Sequence, residues 1–110
     1  MKAIEVKAFF FAIGDYNKFS ILAQLMKKDM SISEIVKATK IEQSNVSHHM
    51  RCLLNCGFVT VRKEDKLPMY GLNRGVRPMM NSIIRHIKKY KGWIMSCDIA
   101  KKEYIIKVIK

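Results

Sequence analysis

Acidic residues are scarce in this chain. Nine Asp and Glu stand against 21 Lys and Arg, a formal charge of +12 on 110 residues. That imbalance points to a polyanionic partner, nucleic acid first, because each phosphate neutralised by a cation releases condensed counterions. Long apolar runs are also missing. The longest, residues 8–13, falls far short of the ~20 residues needed to span a bilayer, and behind Lys2, Glu5 and Lys7 it makes a poor signal segment. The 3 cysteines are too few, and odd in number, for a disulfide framework. In the cytoplasmic setting expected here they are buried, reactive or metal ligands. No internal repeat, low-complexity stretch or long linker divides the chain. Nor is there a Gly-rich phosphate loop, a pair of carboxylates in an apolar setting or a Ser/His/Asp arrangement, so an enzyme is not expected. What is present, 49% hydrophobic and 27% charged residues, describes a single globular domain with a modest core.

Residues 2–13 carry Ile4, Ala8, Phe9, Phe11, Ala12 and Ile13, an apolar stripe too broad for an exposed helix and suited to a core or a subunit interface. Gly14 ends it, and Asp15 can cap a second helix over about 16–28, with Phe19, Ile21, Leu22, Leu25 and Met26 at helical spacing and Lys27 and Lys28 at its C-terminal end. Ser31 then opens a short helix with Ile35, Val36 and Ala38 facing inward. After a turn at Lys40 and Ile41, the next helix runs over about 43–56, its inward positions Val46, Met50, Leu53 and Gly57, and Gly57 stops it. Residues 58–61 read as a strand, 62–66 as a charged turn and 67–72 as the returning strand, which Pro68 confines to an edge or to its first residues. Over 76–91, Val76, Met79, Met80, Ile83, Ile84 and Ile87 recur at helical spacing, with Gly92 as the expected C′ residue. Residues 98–110 read as helix or strand: Asp98 as an N-cap favours a further helix, and the β-branched run over 104–109 a strand.

Two short helices joined by a tight turn and followed by a two-stranded wing describe a winged helix-turn-helix, a mostly α fold whose second helix enters the major groove. With Val46 facing the core and each residue turning ~100°, Ser44, Ser47, His48, Arg51 and Asn55 face away from it. Gln43 and Asn45 lie in the first turn, where recognition helices approach base edges. Gln and Asn bond adenine bidentately, Arg bonds guanine, and Ser reaches phosphate or base. A face this polar with a single formal charge suits base reading better than solvation, which favours Glu and Lys. Arg62, Lys63 and Lys66 of the wing suit phosphate or minor-groove contacts. Residues 1–92 are therefore expected to form a DNA-binding and dimerisation domain, and 93–110 a basic, apolar extension.

Asp15-Tyr-Asn-Lys18 with Ile21, Leu22 and Leu25 resembles the Asp-Pro-x-Arg-x-x-Ile-Leu-x-x-Leu opening of the ArsR/SmtB family. Gln43-Ser-Asn-Val-Ser-His-His-Met50, then Leu53, Gly57-Phe-Val59 and Tyr70-x-Leu72, resembles the family's recognition helix and wing. The likeness covers roughly residues 15–90. Three positions depart from the pattern: Tyr16 replaces the usual Pro, Glu42 an N-capping Ser, and Asp65 a Gly in the wing turn. The resemblance implies a homodimer, joined through the first and last helices, that represses transcription until an effector binds. The apolar surplus in 2–13 and 76–91 agrees with that dimer.

The family's effector sites can be sought one by one. The Cys-x-Cys pair of its arsenic and cadmium sensors would fall on Ser31 and Ser33 and is absent, and the last helix offers only His86, with Lys89 three residues on, where a zinc site needs Asp/His pairs. Cys52 and Cys56 remain, four apart on the recognition helix, with Cys97 beyond the last helix. Side chains at i and i+4 share a face with Cβ atoms about 5–6 Å apart. That is too far for the ~3.8 Å of an unstrained disulfide, but two such thiolates can converge on one soft ion at about 2.3 Å for zinc. A third thiolate would complete a trigonal site.

The segment from Asn45 through Arg51-Cys52-Leu-Leu-Asn-Cys56 to Val59 is similar to that of cadmium/lead repressors of the CmtR type. This likeness implies Cys52, Cys56 and Cys97 as ligands of a cadmium, lead or zinc effector, with Cys97 supplied by the partner subunit; His49, three residues before Cys52 on the same flank, is a fourth candidate by position. Two other readings stay open. The same winged helix could respond to a redox or persulfide effector, or to no metal at all with its cysteines buried in the core. A basic architectural or RNA-binding protein without operator preference is the third.

Overall fold

The computed structural model describes residues 1–96. Its elements in chain order are α1 (Ala3–Ile13), α2 (Tyr16–Leu25), α3 (Ile32–Thr39), α4 (Gln43–Asn55), β1 (Val59–Glu64), β2 (Leu67–Leu72) and α5 (Val76–Met95). The chain divides into two compact units, residues 1–77 and 78–110. The first is a winged helix-turn-helix preceded by α1, the mostly α architecture with a two-stranded wing that the sequence pattern implies. Among the described residues no helix is long and apolar enough to cross a membrane.

Each helix of the first unit starts or stops where local chemistry directs. Asp15 caps α2, its Oδ1 accepting from the backbone N–H of Asn17 at 2.8 Å and of Lys18 at 3.1 Å. Ser31 and Glu34 form a reciprocal capping box on α3: Glu34 N–H donates to Ser31 Oγ and Ser31 N–H donates to Glu34 Oε1. Lys40 ends α3 in the left-handed region at φ 61°, and the Thr39 hydroxyl donates to the Ile35 carbonyl while accepting from Ile41 N–H, which tightens the turn into α4. Glu42 provides no side-chain cap to α4, as the departure from the usual Ser implies; its carboxylate accepts from Ser44 Oγ instead. Gly57, at φ 78°, closes α4 in a Schellman arrangement, with Phe58 N–H donating to Leu53 O and Gly57 N–H to Leu54 O.

The core of this unit lies between α2, α3 and α4. Ile21, Leu22, Leu25, Ile35, Val46 and Leu53 are fully buried, and Met50, Met30, Phe58 and Val59 nearly so. The wing is an antiparallel hairpin with Val59 opposite Leu72 and Glu64 opposite Leu67. A bridge between Met30 and Tyr70 adds a one-residue third strand on the outer edge of β2. Asn73 anchors the hairpin to the end of α4, its Nδ2 donating to Gly57 O and its backbone N–H to Phe58 O.

Five local expectations change. The second helix ends at Leu25, three residues early, because Lys27 N–H turns back to Gln24 O and the chain then extends for Met30 to pair with Tyr70. Ala38 is exposed: it lies about 60° off Ile35 around the helix, at the rim of the buried stripe. Gly57 faces solvent, since its left-handed backbone carries the chain away from the core. The wing turn is not residues 62–66 but Asp65 and Lys66 alone, both at positive φ, as a two-residue hairpin of this hand requires; Asp in place of Gly tolerates that conformation. Finally, α5 continues past Gly92 to Met95 through a kink at Tyr90 (φ −110°, ψ 16°). The helix or strand expected over 98–110 lies outside the described residues.

Asp15 satisfies two otherwise orphaned amides at the start of α2. Replacing it with Ala should cost about 1 kcal/mol of stability and replacing it with Asn much less, a difference to be read from urea denaturation midpoints.

Candidate DNA interface and thiol pair

With Val46, Met50 and Leu53 buried, the opposite side of α4 is turned to solvent. Gln43, Ser44, Asn45, Ser47, His48, Arg51 and Asn55 are all exposed there, the whole of the face anticipated from the helical wheel. No acidic residue interrupts it within α4. The wing adds Lys63 and Lys66, both exposed and without an ion pair among the described residues. Arg62 behaves differently: its guanidinium is bonded to the carboxylates of Asp29 and Glu64.

Cys52 and Cys56 end up on one flank of α4, Cys52 half-buried and Cys56 exposed at the helix cap. Neither is among the buried residues of the core. Together they line a cavity of about 320 Å³ with Phe11, Lys18, His48, Arg51 and Asn55. Lys18 is the unforeseen member. It is only 4% exposed, held at the start of α2 by the Asp15 cap, and its Nζ stands 4.7 Å from the centre of the Phe11 ring. No carboxylate lines the cavity. In the sequence Lys18 stands out only as part of the family-like opening, and its burial is not foreseen there.

Burial pushes the Cys56 thiol above its ordinary value, the neighbouring Cys52 pushes the same way, and the Lys18 ammonium opposes both. His49, the fourth candidate ligand, does not join the thiols in a three-donor group; among the described residues no such group of three exists. Its Nδ1 is buried without a hydrogen-bond partner, and burial holds its pKa below the usual imidazole value. Cys97 lies outside the described residues. His86 is exposed and stacks against Tyr90 at 4.6 Å, a surface role on α5. Among the described residues the two thiols thus share one flank of α4 and one cavity, with no third donor grouped with them.

Residues 15–61, which hold α2 to the start of the wing, match the profile of the family described as bacterial regulatory protein, arsR family. This segment is an ArsR-family domain. Over 64 residues the chain is 31% identical to a probable mercury resistance operon repressor of Streptomyces lividans, a match covering 58% of this chain and 51% of that protein. The chain thus spans about half the length of that relative. HlyU from Vibrio cholerae N16961 shares the fold with a TM-score of 0.68 at 25% identity, over 77% of this chain and 96% of that one. The homodimeric winged helix-turn-helix DNA-binding domain of Mb0332 from Mycobacterium bovis superposes with a TM-score of 0.69 at 18% identity, over 79% and 81% of the two chains. These relatives place the ArsR-family domain of this chain among winged helix-turn-helix proteins.

Because Lys18 lowers the Cys56 pKa against the effect of burial, Lys18→Met should raise it further. Alkylation of Cys56 by iodoacetamide in metal-free, reduced protein should then be slower at any given pH, with the rise in rate moved to more alkaline pH. Peptide mass mapping across a pH series reads this directly.

Proposed function

We propose that this chain is a dimeric, sequence-specific DNA-binding repressor of the ArsR/SmtB type whose grip on its operator is released by a soft metal ion at cysteine thiolates. The observation that carries the DNA half is the exposed face of α4, which is rich in hydrogen-bonding groups and free of carboxylates. Gln43, Ser44, Asn45, Ser47, His48 and Arg51 would read base edges and adjacent phosphates, while Lys63 and Lys66 would grip the backbone. The family match and the charge of +12 support the same reading.

A second copy is the partner proposed for α1. Ile4, Phe10 and Phe11 are 72%, 60% and 72% exposed, more apolar surface than one short helix leaves in water without a partner. Residues 2–13 and 76–91 are the proposed dimer segments, and the word homodimeric in the name of the Mycobacterium bovis relative supports a dimer as such. Two copies would also bring two α4 helices to successive half-sites of a duplex.

For the effector, Cys52, Cys56 and Cys97 are the proposed ligands of cadmium, lead or zinc. A bound soft cation would supply a bond between thiolates that are otherwise separate. The chain's own contribution is the cavity around them. Lys18 and Arg51 line the same cavity as the thiols, and their positive charge would compensate the negative charge that several thiolates carry, while the thiolates themselves favour a soft ion. Cys52 and Cys56 share the last turns of α4 with Arg51 and Asn55, so drawing the thiols together acts on the helix that faces DNA. Mercury resistance in the name of the Streptomyces relative favours a thiophilic metal over a redox effector. Cytoplasmic reducing conditions would keep the thiols available.

An anaerobic cadmium titration, followed by sulfur-to-metal charge-transfer absorption, should saturate near one ion per subunit. Cys52→Ser, Cys56→Ser and Cys97→Ser should each weaken it. If Cys97→Ser changes nothing, the three-thiolate site is wrong. Since the Cys56 thiol is held in its protonated form at neutral pH, binding must expel protons. Affinity should therefore fall by about tenfold for each proton displaced and each pH unit lowered, checked by repeating the titration at acid and neutral pH.

A further inference from the structure

The wing contains one cation that its surroundings have already claimed. Arg62 Nη1 is bonded to Asp29 Oδ2, and Arg62 Nη2 lies 3.0 Å from Glu64 Oε2. Asp29 belongs to the segment between α2 and α3, and a second contact seats it there: its carboxylate lies over Gly71 of β2, where a Cβ would come within 2.6 Å of Oδ1. Strand register puts the pairs Thr60–Gly71 and Arg62–Met69 on the same side of the hairpin, so Gly71 is the diagonal neighbour of Arg62 and the absent side chain opens the path from Arg62 to Asp29. One residue on, Met30 and Tyr70 exchange both backbone hydrogen bonds, at 3.0 and 2.8 Å. Lys63 points to the opposite side of the hairpin and has no such partner among the described residues.

We propose that Arg62 is a wing-positioning residue, holding the hairpin against the segment before α3 through Asp29 and fixing the angle at which Lys63 and Lys66 are presented. This rests on the DNA-binding reading above. Two carboxylates outnumber the one guanidinium in the cluster, so a phosphate arriving at Arg62 would meet net negative charge. The same residue in the same wing without Asp29 and Glu64 would be an ordinary phosphate contact.

The sign of one substitution separates the two roles. Binding of a fluorescein-labelled, mixed-sequence duplex is measured by anisotropy over a series of salt concentrations for the unmodified protein and for Asp29→Ala, Asp29→Asn, Arg62→Ala, the Asp29→Ala/Arg62→Ala pair and Lys63→Ala. For a positioning residue, Asp29→Ala and Arg62→Ala each weaken binding, by about 2- to 5-fold on the scale of a half-exposed ion pair. The pair is no worse than the weaker single variant, and the salt slope is unchanged. Lys63→Ala instead lowers that slope by about 0.9, one phosphate contact. Asp29→Asn, which keeps the size of the side chain, reproduces the loss if Asp29→Ala fails to fold. Tighter binding by either Asp29 variant, or a slope lowered by about one phosphate in Arg62→Ala, overturns the proposal. A urea-denaturation double-mutant cycle on Asp29 and Arg62 is read alongside. If the unmodified protein does not bind the duplex, the DNA reading falls, while coupling between the two residues upholds the wing contact. Absence of coupling overturns that contact whatever the DNA result.

Discussion

Val46, Met50 and Leu53 sit at spacings of four and three along α4, and their removal from water sets the rotation of that helix about its axis. Each fully buried side chain of this size is worth roughly 1.5–3 kcal/mol relative to exposure. Turning α4 by a single residue would bring them out and put Ser47 and Arg51 into an apolar core, at a further cost in unsatisfied polar groups. The polar face is therefore held outward by the apolar one. Ile21, Leu22 and Leu25 of α2 and Ile35 of α3 form the surface against which α4 is seated, so the role of these two helices in function is to aim the third.

From that seat the position of the wing follows. The left-handed backbone of Gly57 turns the chain out of α4 directly into β1, and Asn73 ties the returning strand to the same turn. The hairpin is then fastened on its other edge by the Met30–Tyr70 bridge and the Asp29–Arg62 bond. Helix α4 and the wing are thus one mechanical piece, with few joints in which angle can be lost. The thiol cavity abuts that piece at the C-terminal end of α4, where the helix has its weakest backbone support. An effector site there would act on DNA contacts over one or two helical turns, without needing a long path through the core.

Much of this architecture was readable in the residue order because it depends on local chemistry with a fixed period. Asp15 and Ser31 as caps, Gly57 as a stop, and the 4–3 spacing of Val46, Met50 and Leu53 each specify geometry within one or two turns of chain. The outward face of α4 follows by simple rotation from its inward one. The readings that changed depended on partners far away in sequence. The early end of α2 comes from Met30 pairing with a residue forty positions on, and the short wing turn from how far two strands remain paired. The carboxylate partner of Arg62 likewise lies 33 residues earlier, beyond the reach of a local pattern.

By itself, then, the sequence determined the element types, the winged helix-turn-helix order, the polar identity of the outward face of α4 and the helical adjacency of Cys52 and Cys56. All of these rest on periodicity, capping and charge, which act over a few residues. Tertiary structure alone decided that Lys18 is buried beside the thiols, that His49 stands apart from them, and that Arg62 is spent on Asp29 while Lys63 is not. Those outcomes depend on which side chains packing brings within a few ångströms of each other, and no local rule along the chain encodes that distance.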